Sequence, residues 1–163
     1  MQIRDERDED AAAISRITTA AFADAPHSSG TEARIVEALR QAEALTVSLV
    51  ATSDDGRIVG HVAFSPVRID GVAGRWYGLG PVSVTPDLQR QGIGGALIGE
   101  GLIRLAALGA HGCVVLGEPA YYRRFCFLDD RTLTYGGKPS PYFQRLVLRG
   151  EAPKGDVSYH LAF

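Results

Sequence analysis

No lysine occurs before Lys138 in this 163-residue sequence, which removes the Gly-Lys-Ser/Thr ending that a Walker-type phosphate loop requires. Cysteine is almost as scarce. Cys113 and Cys126 are too few for a disulfide framework, and neither stands at metal-ligand spacing from the other or from the four histidines. Reduced thiols and no structural metal are expected. No apolar run is long enough to cross a bilayer, and the N-terminus MQIRDERDEDAAA has acids where a secretory signal needs a basic start and an apolar stretch. The expectation is a cytoplasmic protein with no membrane partner. Positive charge is not in excess either: the formal net charge is −2 and the pI is near 6.1, so composition carries no electrostatic footprint of nucleic-acid binding. No nucleic-acid partner is expected.

Apolar residues make up 45% of the chain and charged residues 22%, which suits a single globular domain over residues 1–163. Residues 2–4 read as an edge strand. Asp8, Glu9 and Asp10 then stand where acids favour a helix start, ahead of Ile14, Ile17, Ala21 and Phe22 at helical spacing. Ser29-Gly-Thr-Glu32 has capping-box spacing before Ile35, Val36 and Leu39, and predicts a second helix ending near Gln41. The runs TVSLVATS, RIVGHVAFSPVRI and GRWYGLGPVSV, separated by turns at Asp54-Asp55-Gly56 and Asp70-Gly71, predict an antiparallel meander. A long helix follows, with Ile93, Leu97, Ile98, Leu102, Leu105 and Leu108 on one face and Gly109 at its end. Then come a buried parallel strand CVVLG, a short helix opening at Pro119, a strand after Phe127, and two closing strands in YFQRLVLRG and VSYHLAF.

The strongest chemical signal lies in residues 79–106, LGPVSVTPDLQRQGIGGALIGEGLIRLA. Val82 and Val84 alternate with Ser83 as in a strand, Pro86 stops the ladder, and Gly92, Gly94 and Gly95 leave backbone N–H groups uncovered where a helix begins. Anions are favoured at that end of a helix by its unsatisfied donors and its dipole. A dinucleotide fingerprint fits poorly, since Leu97 stands where a third glycine belongs and no acid follows at the ribose-binding distance. Two readings stay open: a phosphate cradle, or a ligand-free strand-to-helix connection.

The spacing Gln89-x-x-Gly92-x-Gly94 after Thr85-Pro86 resembles the acyl-CoA pyrophosphate loop of the GNAT superfamily of N-acetyltransferases. A second stretch, Tyr122-Arg123-Arg124-Phe125-Cys126-Phe127, resembles the family's Tyr-x-x-x-Gly-Phe segment except that Cys126 replaces the glycine. The segment LGEPAYYRRF and the chain's ending look like the YhbS-like subfamily. The resemblance implies a mixed α/β fold of α+β character: a central, mostly antiparallel sheet flanked by helices, with a parallel pair splayed at its fourth and fifth strands near Val84. It implies acetyl-CoA as co-substrate and no metal. The turn formed by Gln89, Arg90, Gln91, Gly92, Ile93, Gly94 and Gly95 would hold the pyrophosphate, with the Arg90 side chain as an added cation. Backbone groups of Val82, Ser83 and Val84 would pair with pantetheine, and a free N–H there would face the thioester carbonyl. Donors of that kind are worth about 3 to 4 kcal/mol in comparable oxyanion holes.

By the same resemblance Tyr122 is the candidate general acid for the departing thiolate, although a tyrosine beside Tyr121 and Phe125 can also be a rim aromatic. Glu118 is the nearest acid for a general base, or else an acid favouring a helix N-terminus. His61 within RIVGHVAF and His27 in the loop between the first two helices read as packed and solvated histidines. Cys113 reads as a small buried hydrophobe. If Cys126 needs positive φ, the strain of roughly 1 to 2 kcal/mol must be avoided by a different turn or offset by thiol burial. The implied activity is acetyl transfer to a primary amine, of a small molecule or a peptide, by direct attack. The alternative is a non-catalytic acyl-CoA-binding or regulatory module. A homodimer is compatible with either.

Overall fold

The computed structural model describes all of residues 1–163, which divide into two compact units. The first comprises Met1–Phe64, Gly80–Ile103 and Ala162; the second comprises Ser65–Leu79, Arg104–Leu161 and Phe163. The sheet is mixed, with helices flanking it.

In the first unit the order is β1 (Gln2–Asp5), α1 (Ala11–Phe22), α2 (Glu32–Gln41), β2 (Val47–Thr52), the start of β3 (Ile58–Ile69), the end of β4 (Val72–Val84) and most of α3 (Ile93–Ala107). Its strands lie in the order β1-β2-β3-β4. β1 and β2 pair antiparallel from Gln2↔Thr52 to Asp5↔Leu49, and β2 pairs antiparallel with β3 from Val47↔Phe64 onward. All six residues of β2 are buried, because both faces are covered. Val50 packs with Ile14 of α1 and Val36 of α2, while Phe64 lies against Gly101 of α3, a site with no room for a side chain.

Of the early acids Asp10 closes the turn before α1, whose own first turn carries none. Asp10, only 5% exposed, takes hydrogen bonds from the Arg4 guanidinium at 2.7 and 3.2 Å and from the Arg7 N–H at 2.7 Å, so it closes the short 3-10 turn Asp8–Asp10 before α1. The second helix start differs from expectation. Thr31, not Ser29, is the residue preceding α2 and makes no capping bond. The serines turn locally instead: Ser28 donates to Glu32 at 2.5 Å and accepts from the Gly30 N–H at 3.0 Å, the competition with capping to which short hydroxyl side chains are prone.

A polar network crosses this otherwise apolar unit. Arg40 Nε donates to Glu6 Oε2 at 2.7 Å, and Ser48 Oγ donates to Glu6 Oε1. That leaves the Ser48 oxygen to accept from His61 Nε2–H at 2.8 Å, so the network selects the Nε2–H tautomer. His61 is fully buried, and its Nδ1 has no partner. Burial lowers the His61 pKa below its ordinary value near 6.5 against the pull of Glu6. Burial alone would raise Glu6, but His61, Arg40 and Ser48 around the carboxylate outweigh it and hold the pKa at about 2. Both pKa values are depressed on folding, so both groups stabilise the fold at neutral pH and lose that contribution as pH falls. Stability is expected to decline first below about pH 6.5 and again below about pH 4.5. Urea unfolding across that range checks it, and His61→Gln should remove the first decline.

In the second unit β3 and β4 continue, followed after α3 by β5 (Gly112–Leu116), α4 (Pro119–Tyr122), β6 (Leu128–Asp129), β7 (Leu133–Tyr135), β8 (Phe143–Val147) and β9 (Gly155–Ser158). β4 and β5 are parallel, β5 and β8 antiparallel, and β6 flanks β8; β9 pairs with β3 and, in parallel, with β7. Val67, Trp76, Val114, Leu133, Phe143 and Val157 form its core. The Ala110 N–H reaches the Leu105 carbonyl and the Gly109 N–H the Ala106 carbonyl, a Schellman closure of α3. The helix therefore ends at Ala107, and Leu108, expected on its buried face, is 55% exposed.

Three further details depart from the sequence reading. The parallel β4–β5 ladder runs only over Trp76↔Gly112, Tyr77↔Cys113 and Gly78↔Val114, ending well before Val84; Gly80, at φ 132, takes the backbone out of regular strand geometry there. The last strand is Gly155–Ser158 rather than VSYHLAF. In the β3–β9 register Arg68 faces Ser158, so the next donor position on β3 would fall at Pro66. β7 was not anticipated, since three residues are too few for a period-2 signal.

Candidate active site

β4 leaves the sheet at Val84 with a defined backbone parity. The Thr85 N–H donates to the Val59 carbonyl of β3 at 2.9 Å. By strand alternation Ser83 also directs its backbone groups to β3, whereas Val82 and Val84 direct theirs to the opposite edge. On that edge the Val84 carbonyl accepts from the Gln89 side-chain amide at 3.0 Å. Gln89 thus ties the turn back to the strand. The Ser83 hydroxyl points inward to Thr18 of α1 at 3.1 Å.

Between β4 and α3 the chain makes a 3-10 turn, Pro86–Leu88, and then takes two left-handed residues, Arg90 at φ 64 and Gly92 at φ 89. The first intrahelical donor of α3 is Ala96, which reaches the Gly92 carbonyl at 3.0 Å. The N–H groups of Ile93, Gly94 and Gly95 precede it and have no intrahelical acceptor. Gln89, Arg90, Gln91 and Gly92 are exposed, and no acid lies in the first turn of α3. A helix start with free donors, an adjacent arginine and no carboxylate suits an anionic diphosphate. Gly60 seats this start: a Cβ there would lie 2.9 Å from Leu97 Cδ1 and 3.0 Å from Ile93 Cγ2.

In the second unit Glu118 precedes α4, with Pro119 at the first helical position, and its carbonyl accepts from the Tyr121 and Tyr122 N–H groups at 3.1 Å. The Glu118 side chain is exposed and makes no capping bond. The Tyr122 ring lies over Gly117, where a Cβ would stand 2.5 Å from its Cε2, and meets Tyr121 and Phe127 edge-on at 5.0 and 5.9 Å. Burial, with smaller contributions from Tyr121 and Cys113, pushes the Tyr122 phenol up to about 12. It is a proton-bearing donor throughout the neutral range.

Cys126 sits at φ 70, ψ 19, the left-handed region expected if the family's glycine geometry is kept, and its thiol is exposed. The turn does not avoid positive φ, and the exposed thiol gains no burial to offset the strain. Cys126→Gly is therefore expected to stabilise the protein by about 1 kcal/mol, the relief of left-handed strain less the entropy glycine adds to the unfolded chain. Paired thermal melts check this, with Cys126→Val expected to destabilise. Cys113 is fully buried, and burial raises its pKa strongly. Buried His61 is a packing residue and His27 is exposed in its loop. Arg124 stacks over the Tyr121 ring at 4.3 Å. Sequence reasoning missed the Thr18–Ser83 and Gln89–Val84 contacts. Thr18 did carry a signal, standing four residues after Ile14 on the apolar face of its helix.

The profile of the Acetyltransferase (GNAT) family matches residues 11–125. The uncharacterized N-acetyltransferase YhbS of Escherichia coli (strain K12) is 43% identical over 99 residues, a stretch covering 61% of this chain and 59% of YhbS. Among solved structures, a GNAT family acetyltransferase from Brucella melitensis in complex with acetyl-CoA is 52% identical, with a TM-score of 0.88 over 99% of this chain and 96% of that one. Escherichia coli YhbS in complex with CoA is 35% identical, with a TM-score of 0.89 over 99% and 90%.

Proposed function

The chain belongs to the GNAT acetyltransferase family, and on that premise we propose that it transfers the acetyl group of acetyl-CoA to a primary amine by direct attack. The observation that carries the reading is the run of unpaired donors at residues 93–95 beside Arg90, in a chain 52% identical to a protein solved with acetyl-CoA. Acetyl-CoA supplies an activated thioester, so no covalent nucleophile from the protein is required. The turn from Gln89 to Gly95 grips the diphosphate, and the outward-facing backbone groups of Val82 and the Val84 N–H pair with pantetheine, the Val84 carbonyl being held by Gln89. Ser83 acts on that edge through its backbone connection. An N–H of the same edge stabilises the oxyanion as the amine nitrogen forms its bond to the carbonyl carbon.

The carbon–sulfur bond then breaks, and the leaving thiolate needs a hydrogen-bond donor. Tyr122 takes that role. A phenol near 12 holds its proton more tightly than a thiol of ordinary pKa about 8.5, so it shields the thiolate by hydrogen bonding rather than by complete transfer. Glu118 is the proposed acceptor for the proton an ammonium must lose before attack. An α-amine with pKa about 7.7 to 8.0 needs that help far less than a lysine near 10.4.

Thiol release from acetyl-CoA with a panel of primary amines tests the reading. Release that depends on an amine is expected, slowed by Glu118→Gln for the more basic acceptors. Thermal stabilisation by CoA with no release for any amine would instead favour a binding or regulatory module, and no response to CoA at all would overturn both.

A further inference from the structure

We propose that Thr18 is a positioning residue for the ligand-facing edge of β4, acting through the Ser83 hydroxyl. This rests on the reading that Val82 and Val84 pair with pantetheine. Thr18 and Ser83 are 65 residues apart in sequence, 0% and 2% exposed, and joined hydroxyl to hydroxyl at 3.1 Å. Packing alone does not call for such a pair. Thr18 lies on the helix face that carries Ile14 and Ile17, both buried, where an aliphatic side chain would fill the space without burying a polar group. A hydroxyl pair adds what apolar contact lacks, a directional link that fixes one strand residue against one helix residue.

Ser83 lies between two hydrogen-bonded points and the β3 backbone. Its hydroxyl is tied to Thr18, its carbonyl lies 3.4 Å from where a Cβ at Gly60 would stand, and two residues later the Thr85 N–H is bonded to Val59. Val82 and Val84 flank it directly, so their outward N–H and C=O groups inherit its orientation. Rotation of β4 about its own axis at Ser83 would turn both away from the ligand edge. Loss of the hydroxyl link loosens that rotation while leaving the glycine turn, seated separately on Gly60 through Ile93 and Leu97, in position.

The separation gives the test. Thr18→Val removes the hydroxyl at nearly constant volume, and binding of two probes is measured by calorimetry: CoA, and adenosine 3′-phosphate 5′-diphosphate, which has the diphosphate but no pantetheine. Thr18→Val is expected to weaken CoA by about threefold to tenfold, the range of one hydrogen bond, with the nucleotide unchanged. Thr18→Ser should restore CoA affinity, and Ser83→Ala should reproduce the loss without adding to it in the double variant. If Thr18→Val does not fold, Ser83→Ala carries the same comparison. Unchanged CoA affinity, or equal weakening of both probes, overturns the proposal while leaving the acetyltransferase reading intact. Wild-type protein that binds neither probe overturns both.

Discussion

Gly92→Val is expected to abolish the stabilisation of this protein by CoA while leaving the unliganded fold in place. Gly92 adopts φ 89, which a β-branched residue cannot take without strain, yet nothing lies within 4 Å of the position its Cβ would occupy. The substitution therefore remodels the turn rather than disturbing a core. The N–H groups of residues 93–95 lose their common direction, and the diphosphate loses its cradle. Ligand at 100 to 1,000 times its dissociation constant stabilises a protein by about 2.7 to 4.1 kcal/mol, on the order of 10 °C in Tm for a chain of this length. Melting curves with and without CoA measure the loss. Gly92→Asn is the control, since asparagine tolerates left-handed backbone and should retain most of the shift. A full CoA shift in the valine variant would mean that the diphosphate sits elsewhere.

Tyr122→Phe is expected to lower kcat by about 100-fold or more, the usual cost of removing one hydrogen-bond donor from a developing anion, with affinity for CoA nearly unchanged. The ring would keep its packing on Gly117 and its edge contacts with Tyr121 and Phe127, so only the hydroxyl is removed. Steady-state kinetics beside calorimetry separates the two effects. A variant with wild-type turnover would assign Tyr122 to packing alone. Loss of CoA affinity in step with kcat would show that the hydroxyl serves binding, not departure of the thiolate.

The order of strands and helices and the glycine turn were legible because each has a local cause. Periodicity marked α1, α2 and the meander, and the glycines at 92, 94 and 95 marked a helix start with bare donors. What stayed hidden depends on partners distant in sequence. Nothing near Ser83 announces Thr18, and nothing near His61 announces Ser48 or Glu6. The early end of β9 depends on Pro66 across the sheet, not on VSYHLAF itself. Ser29 illustrates the reverse error: its spacing to Glu32 was right for a cap, but Ser28 took Glu32 as its own partner. Cys126 was legible as a conflict, and the left-handed backbone kept there leaves that conflict in the molecule.

A phenol that keeps its proton to about 12 is silent across the range in which rates are ordinarily recorded. An inflection of the velocity on the alkaline side is then expected from the incoming nitrogen rather than from Tyr122. An inflection near 8 that moves when the acceptor is changed would point to a peptide terminus, and one above 10 to a lysine or polyamine, so comparing such titrations sorts the acceptors by class.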